Sequence, residues 1–172
     1  MKKFLIPFLT FLGFTFSSEL IPCKVVRVVD GDTFRCVPEG KSRFIKVRLM
    51  GIDTLETNNM KKGMGQAKWF YGGIRTVKEF GKKAKEFSKR LIDKKVVYLE
   101  LPVRKMDNNG RYLAYVWLDE YRNKMLNLLL VKEGLAFVFI IPPQVKYLKE
   151  LGEAQEEAYK DRRGFWKYFK GE

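Results

Sequence analysis

The runs Lys24 to Val29 and Thr33 to Val37, set around the dipeptide Asp30-Gly31, constrain this chain most. Two β-branched, apolar runs joined by a strong two-residue turn former make a β-hairpin. A third strand is expected from Arg43 to Ile52, where Ile45, Val47 and Leu49 point one way and Lys46 and Arg48 the other. The chain therefore opens with three short strands, and an arginine lies on the outward face of the third, placed to meet a ligand.

Helical spacing takes over later. Ala84, Phe87, Ser88, Leu91 and Ile92 form a stripe from Lys82 to Asp93, with lysines on the other face. Val96 to Leu101 and Tyr112 to Leu118 read as strands, separated by the turn-rich Asp107-Asn108-Asn109-Gly110. Lys124 to Glu133 is a leucine-rich helix closed by Gly134, and a last helix runs from Val145 to Arg163 and stops at Gly164. Five strands and about three helices, one of them between the third and fourth strands, predict an α+β, mainly β fold. The expected architecture is a five-stranded Greek-key barrel of the oligonucleotide-binding (OB-fold) type.

Length and charge limit the alternatives. The 172 residues, 46% of them hydrophobic, suit one domain with its own core. A formal charge of +14 attracts polyanions, nucleic acid first among them. A cationic envelope protein is the bland alternative. The chain has no histidine, which removes imidazole as a general base, general acid or zinc ligand. Acid–base work falls to carboxylates or to metal-bound water.

Lys2 and Lys3, then the apolar Phe4 to Phe16, then Ser17 and Ser18 read as an export signal over residues 1–17, too short for a comfortable membrane span. Retention of that segment as an uncut anchor is the other reading. Export permits a disulfide between Cys23 and Cys36, which lie on one face of the hairpin but offset along it. A bridge and two buried thiols both remain open.

Three short stretches carry the chemistry: Val28 to Phe34 (V-V-D-G-D-T-F), Val47 to Glu56 (V-R-L-M-G-I-D-T-L-E) and Asp107 to Val116 (D-N-N-G-R-Y-L-A-Y-V). Singly, they read as a hairpin turn, an N-cap after a strand with Glu56 closing a capping box, and an exposed arginine. An EF-hand is excluded, because Phe34 and Arg35 stand where that loop needs an acidic residue and glycine. Together they supply carboxylates to hold a cation and activate water, and guanidinium forks to hold an anionic phosphorus centre.

These motifs, in this order with helices between the expected strands, resemble the thermonuclease, or staphylococcal nuclease, family over about residues 24–168. The resemblance implies that Asp32 and Asp53, with the main-chain carbonyl of Thr54, bind a calcium ion. It implies Glu56 as the general base acting on the attacking water. It also implies that Arg48 and Arg111 hold the phosphate, stabilise the trigonal-bipyramidal transition state and assist departure of the 5′ oxygen, leaving 3′-phosphate ends.

The chain departs from the family pattern in places. Leu55 replaces a proline, Asn108 and Asn109 replace lysine and tyrosine, and Phe139-Ile140-Ile141-Pro142 lacks the tyrosines of the nucleotide pocket. The stretch Thr57 to Phe80 interleaves Lys61, Lys62, Lys68 and Arg75 with Trp69, Phe70 and Tyr71. Those aromatics either stack bases or pack a local helix on the barrel, and in both cases the stretch borders the cleft. The expectation is an exported, calcium-dependent, monomeric nuclease cutting DNA and RNA with little sequence preference. The same barrel as a non-catalytic nucleic-acid-binding module is the alternative.

Overall fold

A computed structural model describes residues 19–55, 59–103, 105–140 and 146–171. The signal-like residues 1–17 therefore lie outside the described residues. Five strands, β1 (Leu20–Asp30), β2 (Thr33–Pro38), β3 (Ile45–Leu49), β5 (Val96–Glu100) and β6 (Tyr112–Trp117), close a barrel in the order β1-β2-β3-β6-β5. Every pair is antiparallel except β3 with β6. This is the expected OB-type barrel. β1 is long enough to pair with both β2 and β5, and its register shifts between Val25 and Arg27 and between Val28 and Asp30 bend it around the barrel.

The expected third strand is in fact two. β3 ends at Leu49, Gly51 turns the chain at φ +77°, and β4 (Ile52–Thr54) leaves the barrel to pair with β7 (Ala136–Val138). Only glycine takes that left-handed conformation without strain. Arg48 and Asp53 thus stand on different sheets, not on one strand, and the bend turns the two residues toward each other. Asn127, fully buried, secures the bend by donating to the Met50 carbonyl at 2.8 Å and accepting from the Val116 amide at 2.9 Å.

Four helices, α1 (Met60–Ala67), α2 (Ile74–Ile92), α3 (Leu126–Lys132) and α4 (Leu148–Lys160), cover the barrel among the described residues. α2 begins eight residues before the apolar stripe that announces it, and α1 lies within the stretch Thr57 to Phe80, where a local helix is one of the two readings. The packing reading of that stretch holds for Phe70. It is buried among Phe137, Phe165 and Phe169, while Trp69 and Tyr71 stay exposed. Inside the barrel, Val25, Phe34, Val47, Leu49, Val97, Leu99, Ala114 and Val116 form the core.

Two local ties hold the opening hairpin. Cys23 and Cys36 are bridged, with Cα atoms 5.6 Å apart, although Cys36 pairs in register with Val25. The diagonal offset seen in the sequence lies within bridging range on this strongly bent strand. At the hairpin tip Gly31 touches α2, and a Cβ there would lie 2.7 Å from the Ala84 Cβ. The neighbouring Asp32 carboxylate is buried and accepts from the Thr54 amide at 3.0 Å, the Thr54 hydroxyl at 3.1 Å and the Thr33 hydroxyl at 2.9 Å, and it pairs with Arg48. Burial raises its pKa, yet the Arg48 charge and these donors together hold it below the usual carboxylate range.

A carboxyl depressed in the folded state adds stability that is present above its unfolded pKa and is lost as pH falls through the folded one. Urea unfolding should therefore show the wild type losing stability between about pH 5 and pH 2 more steeply than Asp32→Asn. Parallel acid limbs would remove Asp32 from the acid response. Replacing both Cys23 and Cys36 by serine should cost about 2 to 3 kcal/mol in the same measurement.

Candidate active site

Parallel pairing of β3 with β6 brings together residues far apart in the chain. Val47 pairs with Tyr112 and Arg48 with Leu113, so Arg111, the residue before β6, comes to the same face of the sheet as Arg48, two positions away in register. The Gly31 turn delivers Asp32 to the same end of the barrel, and β4 delivers Asp53 and Thr54 from the side. All five line one cleft of about 480 Å³, together with Asp30, Lys62, Asp107 and Phe139.

Arg48 is the bridge within this cleft. One guanidinium nitrogen pairs with Asp32, and the other donates to Asp53 Oδ1 at 2.6 Å and to the Ile52 carbonyl at 3.3 Å. Burial lowers its pKa, but the two carboxylates outweigh burial and raise it, so the fork stays charged. Its side chain is 12% exposed, so the outward-facing residue of the strand lies in a partly closed site rather than in open solvent. Lys62, on α1, adds a second cation by donating to the same Asp53 oxygen at 2.9 Å.

Arg111 has a separate support. Asp107 Oδ2 accepts from Arg111 Nε at 2.6 Å, and Oδ1 accepts from the amides of Arg111 and Asn109 at 3.0 and 2.9 Å. The carboxylate thus folds the Asn-Asn-Gly turn and orients the guanidinium at once. Burial raises the Asp107 pKa, and the Arg111 amide and guanidinium with the Asn109 amide bring it below the ordinary value.

Of the residues selected from sequence, Asp32, Arg48, Asp53, Thr54 and Arg111 meet in this cleft. Glu56 lies outside the described residues, as do Ile141 and Pro142. Leu55, which stands where the family has proline, is buried in the core and pins the chain just before residue 56. Sequence reasoning missed two contributors. In the sequence Asp107 reads only as a turn former, although an aspartate four residues before an arginine across Asn-Asn-Gly marks the support. Lys62 carried no signal beyond being one of several lysines in its stretch.

Asp32, Asp53 and the Thr54 carbonyl offer hard oxygens, the class that suits calcium or magnesium. Among the described residues, no group of three Asp, Glu, His or Cys side chains gathers into a cage. Two carboxylates and a carbonyl would leave the remaining positions of such an ion to water and to a substrate oxygen.

Residues 46–168 match the family described as staphylococcal nuclease homologue. The chain is 36% identical over 143 residues to the thermonuclease of Staphylococcus hyicus, covering 83% of this chain and 74% of that protein. It is 37% identical over 142 residues to the thermonuclease of Staphylococcus intermedius, with the same coverage of both chains. It is also 29% identical over 151 residues to endonuclease YncB of Bacillus subtilis (strain 168), covering 87% of this chain and 63% of that one. A closed five-stranded barrel, a cleft pairing carboxylates with arginines and these relationships agree: the chain belongs to the staphylococcal nuclease family, and is a nuclease by that membership.

Proposed function

We propose that this nuclease is exported and hydrolyses phosphodiester bonds of DNA and RNA with a calcium ion, with little sequence preference and leaving 3′-phosphate ends. The observation that carries the reading is Arg48 held between Asp32 and Asp53, with Arg111 in the same cleft. Asp32, Asp53 and the Thr54 carbonyl would hold the ion. When bound, it supplies positive charge against the phosphate and lowers the pKa of bound water.

Charge balance supports this division of labour. The described cleft lining has four carboxylates, Asp30, Asp32, Asp53 and Asp107, against three cations, Arg48, Lys62 and Arg111. A divalent cation turns a slight negative excess into a positive one, matching a phosphodiester whose charge grows in the transition state. Arg111, held through its Nε by Asp107, presents its two terminal nitrogens to phosphate oxygens, whereas Arg48 would turn to the phosphate by exchanging its carboxylate partners once a cation takes them, and both stay protonated. Glu56 is the proposed base that takes the proton of the attacking water, since the chain has no histidine to do so. Phe139, half exposed at the cleft rim, offers a face on which any base can stack, which supports little sequence preference. Export rests on the N-terminal segment and agrees with a bridged cysteine pair.

The deciding experiment incubates the protein with single-stranded and duplex DNA in calcium and in chelator, beside Glu56→Gln and Arg111→Met. Cutting should require calcium. A well-placed donor to a transition-state anion contributes about 3 to 4 kcal/mol, so Arg111→Met should fall at least a hundredfold in kcat. Undiminished cutting in chelator would refute the calcium requirement, and full activity of Glu56→Gln would remove Glu56 as the base. The Arg48→Met protein should lose activity and stability together, because it leaves Asp32 buried beside no cation.

A further inference from the structure

One face of α2 carries a charge pattern that the cleft does not use. Lys78, Lys82, Lys85 and Lys89 recur at steps of four, three and four residues. At about 100° per residue they fall within an arc of about 60° and extend about 16 Å along the axis. Lys78, Lys82 and Lys89 are exposed and Lys85 is half-buried. The two acidic residues of the helix stand off this line: Glu79 pairs with Lys83 at 2.6 Å, and Glu86 reaches Lys82 only at 3.8 Å.

The stripe ends in a groove. Lys85, Lys89 and Lys94 face Arg27 of β1 around an open space of about 440 Å³, whose lining includes one carboxylate, Asp93. Lys94 donates to the Val26 carbonyl at 2.5 Å, which holds it across the groove. The groove is also tied to the cleft. Ala84 and Ser88, adjacent in sequence to Lys85 and Lys89, touch Gly31, and the Ser88 hydroxyl donates to the Gly31 carbonyl at 2.6 Å. One hairpin tip therefore has the catalytic carboxylates on one side and the basic stripe on the other.

We propose that Arg27, Lys78, Lys85, Lys89 and Lys94 form a second phosphate track, which holds the backbone of a long nucleic-acid substrate beyond the cleft. The inference rests on the reading of the cleft as a nuclease site. A linear row of cations ending in a walled groove matches a strand backbone, in which phosphates of a duplex strand recur about every 3.4 Å of axis. About 16 Å of helix then spans roughly five of them. A flat anionic membrane would need no groove.

The test measures binding of the full chain to a duplex of about 30 base pairs, in chelator and across a salt series. The variant Lys85→Gln/Lys89→Gln/Lys94→Gln is compared with the equally discharged Lys41→Gln/Lys149→Gln/Lys160→Gln, whose lysines lie elsewhere on the surface. The track variant should lower the log–log salt slope by about 2 to 3 and weaken affinity at least tenfold, while the control stays within about twofold. Calcium-dependent hydrolysis of a dinucleotide, too short to reach α2, should be the same in all three proteins. Equal salt slopes in the two variants would overturn the track, as would a fall in dinucleotide cleavage parallel to the fall in duplex binding. Loss of binding to phosphatidylglycerol vesicles with duplex binding intact would overturn it too, marking the face as a membrane contact. If wild type binds the duplex with the expected slope but cleaves no dinucleotide, the track stands and the nuclease reading of the cleft fails.

Discussion

The buried carboxylate of Asp32 is the interaction around which the rest of this molecule is arranged. A charge taken out of water must be met by donors and an opposite charge. Asp32 meets that demand from three elements: Thr33 at the start of β2, Arg48 on β3 and Thr54 on β4. This fixes where the hairpin tip lies relative to the β3–β4 bend. The bend then decides where Asp53 stands, and the second arm of Arg48 closes the set. Packing reinforces it from behind, because Gly31 admits α2 so closely that any side chain there would collide with Ala84 and Thr54.

That organisation also explains how one cleft serves groups of both signs. Carboxylates placed alone would repel one another and the substrate; arginines placed alone would hold phosphate but activate no water. Interleaving keeps each group ionised, as the lowered pKa of Asp32 and the raised pKa of Arg48 show. Arg111 repeats the device with Asp107, at the end of the parallel strand pair that brings it across the barrel. The site is thus pre-organised by its own ion pairs, the arrangement that electrostatic catalysis requires.

Much of this was legible in the sequence, for identifiable reasons. Asp30-Gly31 flanked by β-branched runs announced the hairpin, and alternation in β3 put Val47 and Leu49 in the core and Arg48 on the other face. The Gly51 bend was not legible, because a single glycine within an otherwise apolar run looks the same as a glycine tolerated within a strand; only the positive φ and the pairing of β4 with β7 separate them. The three residues of β7 are too few to show a period. α2 begins eight residues before the stripe assigned to it, and its buried face continues back through Gly81, Phe80, Val77 and Thr76. Asp32, Arg48, Asp53, Thr54 and Arg111 stand out in the sequence by residue type and line one cleft, whereas Asp107 and Lys62 do not stand out, since their places there come from contacts rather than from type. The aromatic stretch resolves only in three dimensions, where Phe70 is buried in the cluster with Phe137 and Phe165, Trp69 lies edge-on to Phe137 while staying half exposed, and Tyr71 is exposed.

The central claim is that a cation inverts the charge of a carboxylate-rich cleft so that two arginines can hold a phosphodiester. Calorimetric titration of calcium, with and without a saturating nucleoside 3′,5′-bisphosphate, measures that coupling directly. The account predicts that each ligand tightens the other by at least tenfold, by the same factor in either order, and that Asp53→Asn abolishes the coupling. Bisphosphate binding of equal strength with and without calcium would contradict it.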